Sequence, residues 1–101
     1  MKKSFLNFLA FSITLSSFLL SQTGNISGVV SSDGQGLAGA NVVLEGTSFG
    51  AAANAEGEYT VSNVQPGEYT VTVSYVGYNA SSQMVQVSSG ETVQLDFQLT
   101  V

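Results

Sequence analysis

Beyond about residue 24 the chain alternates apolar and polar side chains in short runs, each broken by glycine or serine. A period of two is that of a strand with one buried face, so the pattern predicts a succession of short strands. Residues 25–31 put Ile26, Gly28 and Val30 on one face, and Ser32-Asp33-Gly34-Gln35-Gly36 follows as a turn. Aspartate bonds nearby backbone amides and glycine accepts positive φ, so Asp33 and Gly34 suit that turn. Residues 40–45 put Ala40, Val42 and Leu44 on one face and Val43 on the other. Residues 47–53 are small and weakly patterned, and their strand is only faintly marked. The alternation is clearest in two places. Tyr69, Val71, Val73 and Tyr75 oppose Thr70, Thr72 and Ser74, while Val93, Leu95, Phe97 and Leu99 oppose Thr92, Gln94, Asp96 and Gln98. Between them residues 84–87 predict a shorter strand, closed by Ser88-Ser89-Gly90-Glu91.

Gly57-Glu58-Tyr59-Thr60-Val61 recurs ten residues later as Gly67-Glu68-Tyr69-Thr70-Val71. Two copies do not make a solenoid. They predict two turn-then-strand units joined through Pro66, which has no amide to donate and belongs in a connection or at an edge. The two strands either pair as a hairpin or lie in opposite sheets. From residue 22 onward there are 13 valines and 4 leucines, a balance that favours pleated over helical structure. The expectation is an all-β sandwich of about seven strands. Its core is drawn from Ile26, Val42, Leu44, Tyr69, Val71, Val73, Val93, Leu95 and Phe97.

The first 21 residues are different. Lys2 and Lys3 precede residues 5–20, which hold 11 apolar side chains among 16 and no charge. Positive leader plus short apolar run predicts a secretory signal peptide at residues 1–21, with a domain over residues 22–101. A membrane span needs roughly 20 apolar residues, and Asn7, Ser12, Thr14, Ser16 and Ser17 interrupt this one. The protein is therefore expected outside the cytoplasm, with no lipid anchor, because no cysteine follows the apolar run. Seven acidic residues and no basic one remain in residues 22–101, which excludes nucleic acid as a partner. The chain has no histidine and no cysteine, so thiol, Ser-His and zinc chemistry cannot be assembled from it. No enzyme, no catalytic residue, no cofactor and no metal are expected.

Ile26-Ser27-Gly28-Val29-Val30, Asp33-Gly34, Leu37-Ala38-Gly39-Ala40-Asn41-Val42, Gly46-Thr47, Gly50, Gly57-Glu58-Tyr59, Pro66-Gly67-Glu68-Tyr69 and Gly77-Tyr78 occur in that order. Together they resemble the carboxypeptidase regulatory-like domain. The resemblance implies a seven-stranded, transthyretin-like β-sandwich, grouped with carbohydrate-binding-like folds. Behind a signal peptide, it is similar to the N-terminal extension of TonB-dependent outer-membrane receptors. The chain departs from the family pattern at Ala53-Asn54, Glu56-Gly57 and Ala38, and it ends at Val101 without the plug and barrel of such a receptor. The resemblance implies a non-catalytic accessory domain of the periplasm or outer membrane of a Gram-negative-type bacterium, with a periplasmic or outer-membrane protein as partner. The alternatives are a free-standing secreted carbohydrate-binding module and a structural stalk or adhesin-type repeat. Adhesin repeats of that type often carry a lysine-to-asparagine isopeptide bond, and residues 22–101 have no lysine.

Few side chains are candidates for a site. Asn54, Glu56 and Glu58 place oxygens around Gly57, but calcium takes about 6–8 oxygen ligands and the loop reads as a plain acidic turn. Glu56 and Glu58 alternate on one short segment and do not face each other across a cleft, as glycoside hydrolysis requires. Phe49, Tyr59, Tyr69, Tyr75 and Tyr78 are the aromatics available to stack on a sugar. Tyr69 and Tyr75 fall on an apolar strand face and read as core. Phe49, between Gly46 and Gly50, is the aromatic most expected at the surface, and Phe49 with Tyr78 forms the candidate ligand or partner surface.

Overall fold

The computed structural model describes residues 22–101, and the signal peptide expected over residues 1–21 lies outside the described residues. Among the described residues nine strands follow one another: β1 (Gly24–Ser32), β2 (Gln35–Gly36), β3 (Asn41–Leu44), β4 (Gly50–Ala52), β5 (Glu58–Val64), β6 (Gly67–Ser74), β7 (Ser81–Val87), β8 (Thr92–Gln94) and β9 (Phe97–Gln98). Two of the nine are subdivisions of what the pattern predicts. β2 is the short return arm of the Asp33–Gly34 turn, pairing Ser31 with Gly36 and Ser32 with Gln35. β8 and β9 are one predicted strand interrupted at Leu95 and Asp96.

Two sheets form the sandwich. In the first, β1 is central: β5 runs antiparallel along one side, and β8 and β9 run parallel along the other. The second has the order β4-β3-β6-β7, antiparallel throughout. The repeated Gly-Glu-Tyr-Thr-Val units therefore start strands in opposite sheets, β5 in the first and β6 in the second. A five-residue repeat encodes a turn and a strand, but the neighbour is chosen by which face and edge each strand can bury.

The alternating faces meet between the sheets. Ile26, Val30, Val42, Leu44, Val71, Val73, Val87, Phe97 and Leu99 are all buried there, joined by Leu37, Ala40, Ala53, Tyr59, Val61, Val64 and Val85. Of the expected core, Tyr69, Val93 and Leu95 are only half-buried and pack on its margin. In β5 the alternation slips: Tyr59 and Val61 face inward, and so does Val64, three residues on. A bulge explains it, because Ile26 pairs with Val61 while Gly24 pairs with Val64. Asn63 absorbs the extra residue at φ 60°, a conformation that asparagine tolerates better than most side chains. β7 begins earlier than residues 84–87 predict, because Ser81, Ser82 and Gln83 pair with Val73, Thr72 and Val71 through the backbone. Thr72 and Ser82 share a hydroxyl hydrogen bond of 2.9 Å across that ladder.

Candidate functional site

Phe49 and Tyr78 stand at opposite ends of the second sheet. The Phe49 carbonyl accepts from the Leu44 amide at 3.1 Å, where β3 ends, and its own amide donates to Thr47 Oγ1 at 3.0 Å. The residue is 41 % exposed. Tyr78 belongs to the turn after β6, where its amide donates to the Tyr75 carbonyl at 3.0 Å. That turn follows Ser74, which pairs with Asn41 at the start of β3. β3 thus separates the two, and they do not form one surface. Tyr78 has a nearer partner in Tyr75, with ring centroids 5.7 Å apart and planes at 56°. Beside this pair Gly39, Asn41, Ser74, Tyr75 and Val76 line an open groove of about 380 Å3, and Val76 is almost fully exposed.

The other two candidate tyrosines have structural duties. Tyr69 donates its hydroxyl to the Gln65 carbonyl at 2.7 Å and so braces the Pro66 connection. Tyr59 is buried and unavailable for stacking. Its ring lies 6.5 Å from that of Phe97, opposite Gly28 on β1, and its hydroxyl donates to the Leu95 carbonyl. This bond accounts for the break between β8 and β9. Leu95 turns its carbonyl inward to the phenol, and the Val29 amide finds Asp96 Oδ1 at 2.9 Å. Gln94 Nε2 donates to the same Asp96 oxygen at 2.9 Å. Only glycine fits at position 28, because a Cβ there would stand 1.9 Å from the Leu95 carbonyl oxygen. Burial, and secondarily the negative charge of Asp96, pushes the Tyr59 phenol up to about 12, so it stays protonated and acts as a donor.

The acidic turn is likewise occupied by its own backbone. Asn54 Oδ1 accepts from the Glu56 amide at 3.0 Å and the Glu58 amide at 2.9 Å, while Asn54 Nδ2 donates to Glu58 Oε1 at 3.2 Å. The carboxamide oxygen that a cation would need is already shared by two amides. Among the described residues no three acidic side chains gather into a set that would hold a metal ion.

The two sheets meet along two flanks. On one flank the outer edge of β7 meets the C-terminal strands, and two bonds tie them: Gln83 Nε2 to the Asp96 carbonyl at 3.0 Å, and the Asn79 amide to the Thr100 carbonyl at 2.7 Å. On the other flank β4 of the second sheet comes close to β5, but no strand of the described residues pairs with the outer side of β5. In an antiparallel ladder alternate residues point their main-chain groups at the neighbour and away from it. The Val30 amide donates to the Gly57 carbonyl, so Tyr59 and Val61 continue the bonds to β1, whereas Glu58, Thr60 and Ser62 turn outward. Glu58 is capped, its amide by Asn54 Oδ1 and its carbonyl by the Asn54 amide at 2.8 Å. Thr60 and Ser62 are exposed, and no strand of the described residues pairs with their outward groups, although β4 comes close to β5. Sequence reading missed this flank because an edge is a property of the topology, although the Pro66 that closes β5 hinted at one.

Two stacked sheets, a valine-rich core and turns held by backbone bonds define a small all-β sandwich domain whose features of interest are edges and loops. The chain belongs to the CarboxypepD_reg-like domain family, whose model matches residues 26–101. No curated protein matches it. Among solved structures it is similar to the Bacillus anthracis TIE protein, with 21% identity and a TM-score of 0.66 over 78% of this chain and 16% of that one. A chain of the type II cohesin–X-dockerin complex from Acetivibrio cellulolyticus gives 20% identity and a TM-score of 0.65 over 75% of this chain and 56% of that one. The minor pilin of Streptococcus agalactiae gives 16% identity and 0.62 over 78% and 44%. This chain thus spans about half or less of the length of these neighbours, and at such identities they share its fold alone.

Proposed function

We propose that this chain is a non-catalytic accessory domain that works through protein contacts in the bacterial envelope, in the manner of the N-terminal extension of a TonB-dependent outer-membrane receptor. The observation that carries the reading is the outer edge of β5, which between the Asn54 cap on Glu58 and the bulge at Asn63 is exposed and unpaired among the described residues, next to Glu56 and Glu58. Exposed edges are a hazard that sandwiches usually cover, so one left open is a surface for pairing. The leader-like residues 1–21 support a place outside the cytoplasm. One structural neighbour, the cohesin–X-dockerin chain, is itself part of a protein complex, which is consistent with this scaffold serving protein assembly.

A second reading rests on the groove beside Tyr75 and Val76, where the Tyr75–Tyr78 pair supplies aromatic surface of the kind sugars stack on. The two readings separate in one comparison: affinity capture from periplasmic and outer-membrane extract, run beside a polysaccharide array. The protein-contact reading expects a reproducible envelope protein and no glycan. Glycan binding abolished by Tyr78→Ala or Phe49→Ala, with no protein captured, would replace it with the carbohydrate reading.

A further inference from the structure

We infer that the outer edge of β5 accepts an extended segment of another protein that carries lysine or arginine at alternate positions, pairing with Thr60 and Ser62 and placing its cations against Glu56 and Glu58. This rests on the protein-contact reading and adds to it the strand, the register window and the chemistry of the partner.

Main-chain geometry delimits the window. Glu58 is closed off by Asn54 at one end, and the bulge at Ser62 and Asn63 ends regular pairing at the other, where the Asn63 amide turns to Asn25 Oδ1 at 3.2 Å. Between them Thr60 and Ser62 offer two donors and two acceptors, the set that an added strand would satisfy. Side chains along the window alternate between buried Tyr59 and Val61 and exposed Glu58, Thr60 and Ser62. An added strand would therefore set alternate residues beside the exposed row, which starts with a carboxylate. Glu56, two residues before it, is also exposed. Residues 22–101 carry seven acidic side chains and no basic one, so nothing within the domain neutralises this end of β5. The same inventory argues against a second copy as occupant, because it would bring its own carboxylates and no cation from those residues.

The test uses the 15N-labelled chain, expressed with its own leader and purified in the form the cell delivers, titrated with a capped peptide of alternating lysine and valine. A peptide of alternating glutamate and valine is the charge control. The expected result is that the Thr60 and Ser62 amides shift and exchange more slowly with the lysine peptide, that binding weakens in high salt, and that the glutamate peptide does nothing. Thr60→Pro removes an outward amide and is expected to weaken binding about tenfold. Glu56→Lys, an exposed change, is expected to weaken it several-fold whether or not the proline variant folds well. Shifts confined to the Tyr75–Tyr78 turn, equal binding of the two peptides, or undiminished binding by Glu56→Lys would overturn the inference. Self-association that Thr60→Pro abolishes would overturn the choice of partner. An envelope protein still captured by folded Thr60→Pro would sink the β5 edge alone, whereas no envelope protein captured by the unaltered chain would sink the broader reading with it.

Discussion

Replacing Gly28 by alanine adds one methyl group at the point where three elements converge. That methyl would stand 1.9 Å from the Leu95 carbonyl oxygen and 2.6 Å from the Leu95 carbonyl carbon, and both are backbone atoms that no rotamer change can move. The C-terminal strand must shift away from β1. The shift takes with it the Tyr59 hydroxyl bond to Leu95 and the Val29 amide bond to Asp96. Overpacking alone costs about 1–3 kcal/mol. A bond to a charged acceptor contributes about 1.5–3 kcal/mol, and stranding a buried phenol costs about 1–3 kcal/mol. These losses share one displacement and do not add fully, which gives an expected destabilisation of about 3–5 kcal/mol. A domain of this size has a total stability of roughly 4–12 kcal/mol. At about 4–8 °C per kcal/mol, the thermal midpoint followed by circular dichroism falls by about 12–40 °C. Gly34→Ala is the control: its φ is +79° and nothing lies within 4 Å of the added methyl, so only left-handed strain of about 1 kcal/mol is incurred. If Gly28→Ala is no worse than Gly34→Ala, the inward Leu95 carbonyl is not part of the native structure and the reasoning fails.

The raised phenol of Tyr59 makes stability depend on pH at the alkaline end. The unfolded chain loses this proton near pH 10 and the folded one only near about 12, so stability is unaffected below 10 and falls by up to about 3 kcal/mol across that window. Tyr59→Phe removes this component, and an alkaline loss of the same size in wild type and variant would contradict it. At neutral pH the same variant leaves the Leu95 carbonyl without its donor and is expected to cost about 1–3 kcal/mol in denaturant unfolding. Asn54→Ala removes two acceptor bonds and one donor bond from the turn before β5, for an expected loss of about 1–2 kcal/mol and faster exchange of the Glu56 and Glu58 amides. Seven carboxylates without a cation among residues 22–101 repel one another, so the unfolding midpoint is expected to rise between dilute buffer and moderate sodium chloride; a flat or falling response would show them too far apart to matter.

The strands that proved readable from the sequence are those in which one face is buried along the whole run. Ile26, Gly28 and Val30, or Val71 and Val73, announce their inward side because the pleat forces it. Where pairing is decided by the backbone, the side chains say little: Ser81 to Gln83 extend β7 with no apolar pattern. The break at Leu95 and Asp96 was equally invisible, since alternation continues through it and its cause is a tyrosine 36 residues away. The Tyr59 and Tyr69 repeats look the same in sequence, yet one tyrosine is core and the other a surface brace. The bulge in β5 did leave a trace, in the three-residue step from Val61 to Val64 across an asparagine. Phe49 is exposed in its glycine-flanked loop, but Tyr78 is half-buried against Tyr75 and the core, and sequence cannot show that β3 stands between the two. The β5 edge has no motif at all, because Thr60 and Ser62 are ordinary strand residues whose significance is that no strand of the described residues pairs with their outer side.

If a partner protein is held along the outer edge of β5, a photoreactive residue there must capture it. Site-specific photocrosslinking in the producing cell tests it, with a photoreactive residue placed at Thr60, at Ser62, or, as comparison, at Tyr78. The expected result is one envelope-protein adduct from positions 60 and 62 that disappears when Glu56 and Glu58 are both replaced by lysine, and none from position 78. Adducts from position 78 alone, or adducts at 60 and 62 indifferent to the charge reversal, would contradict it.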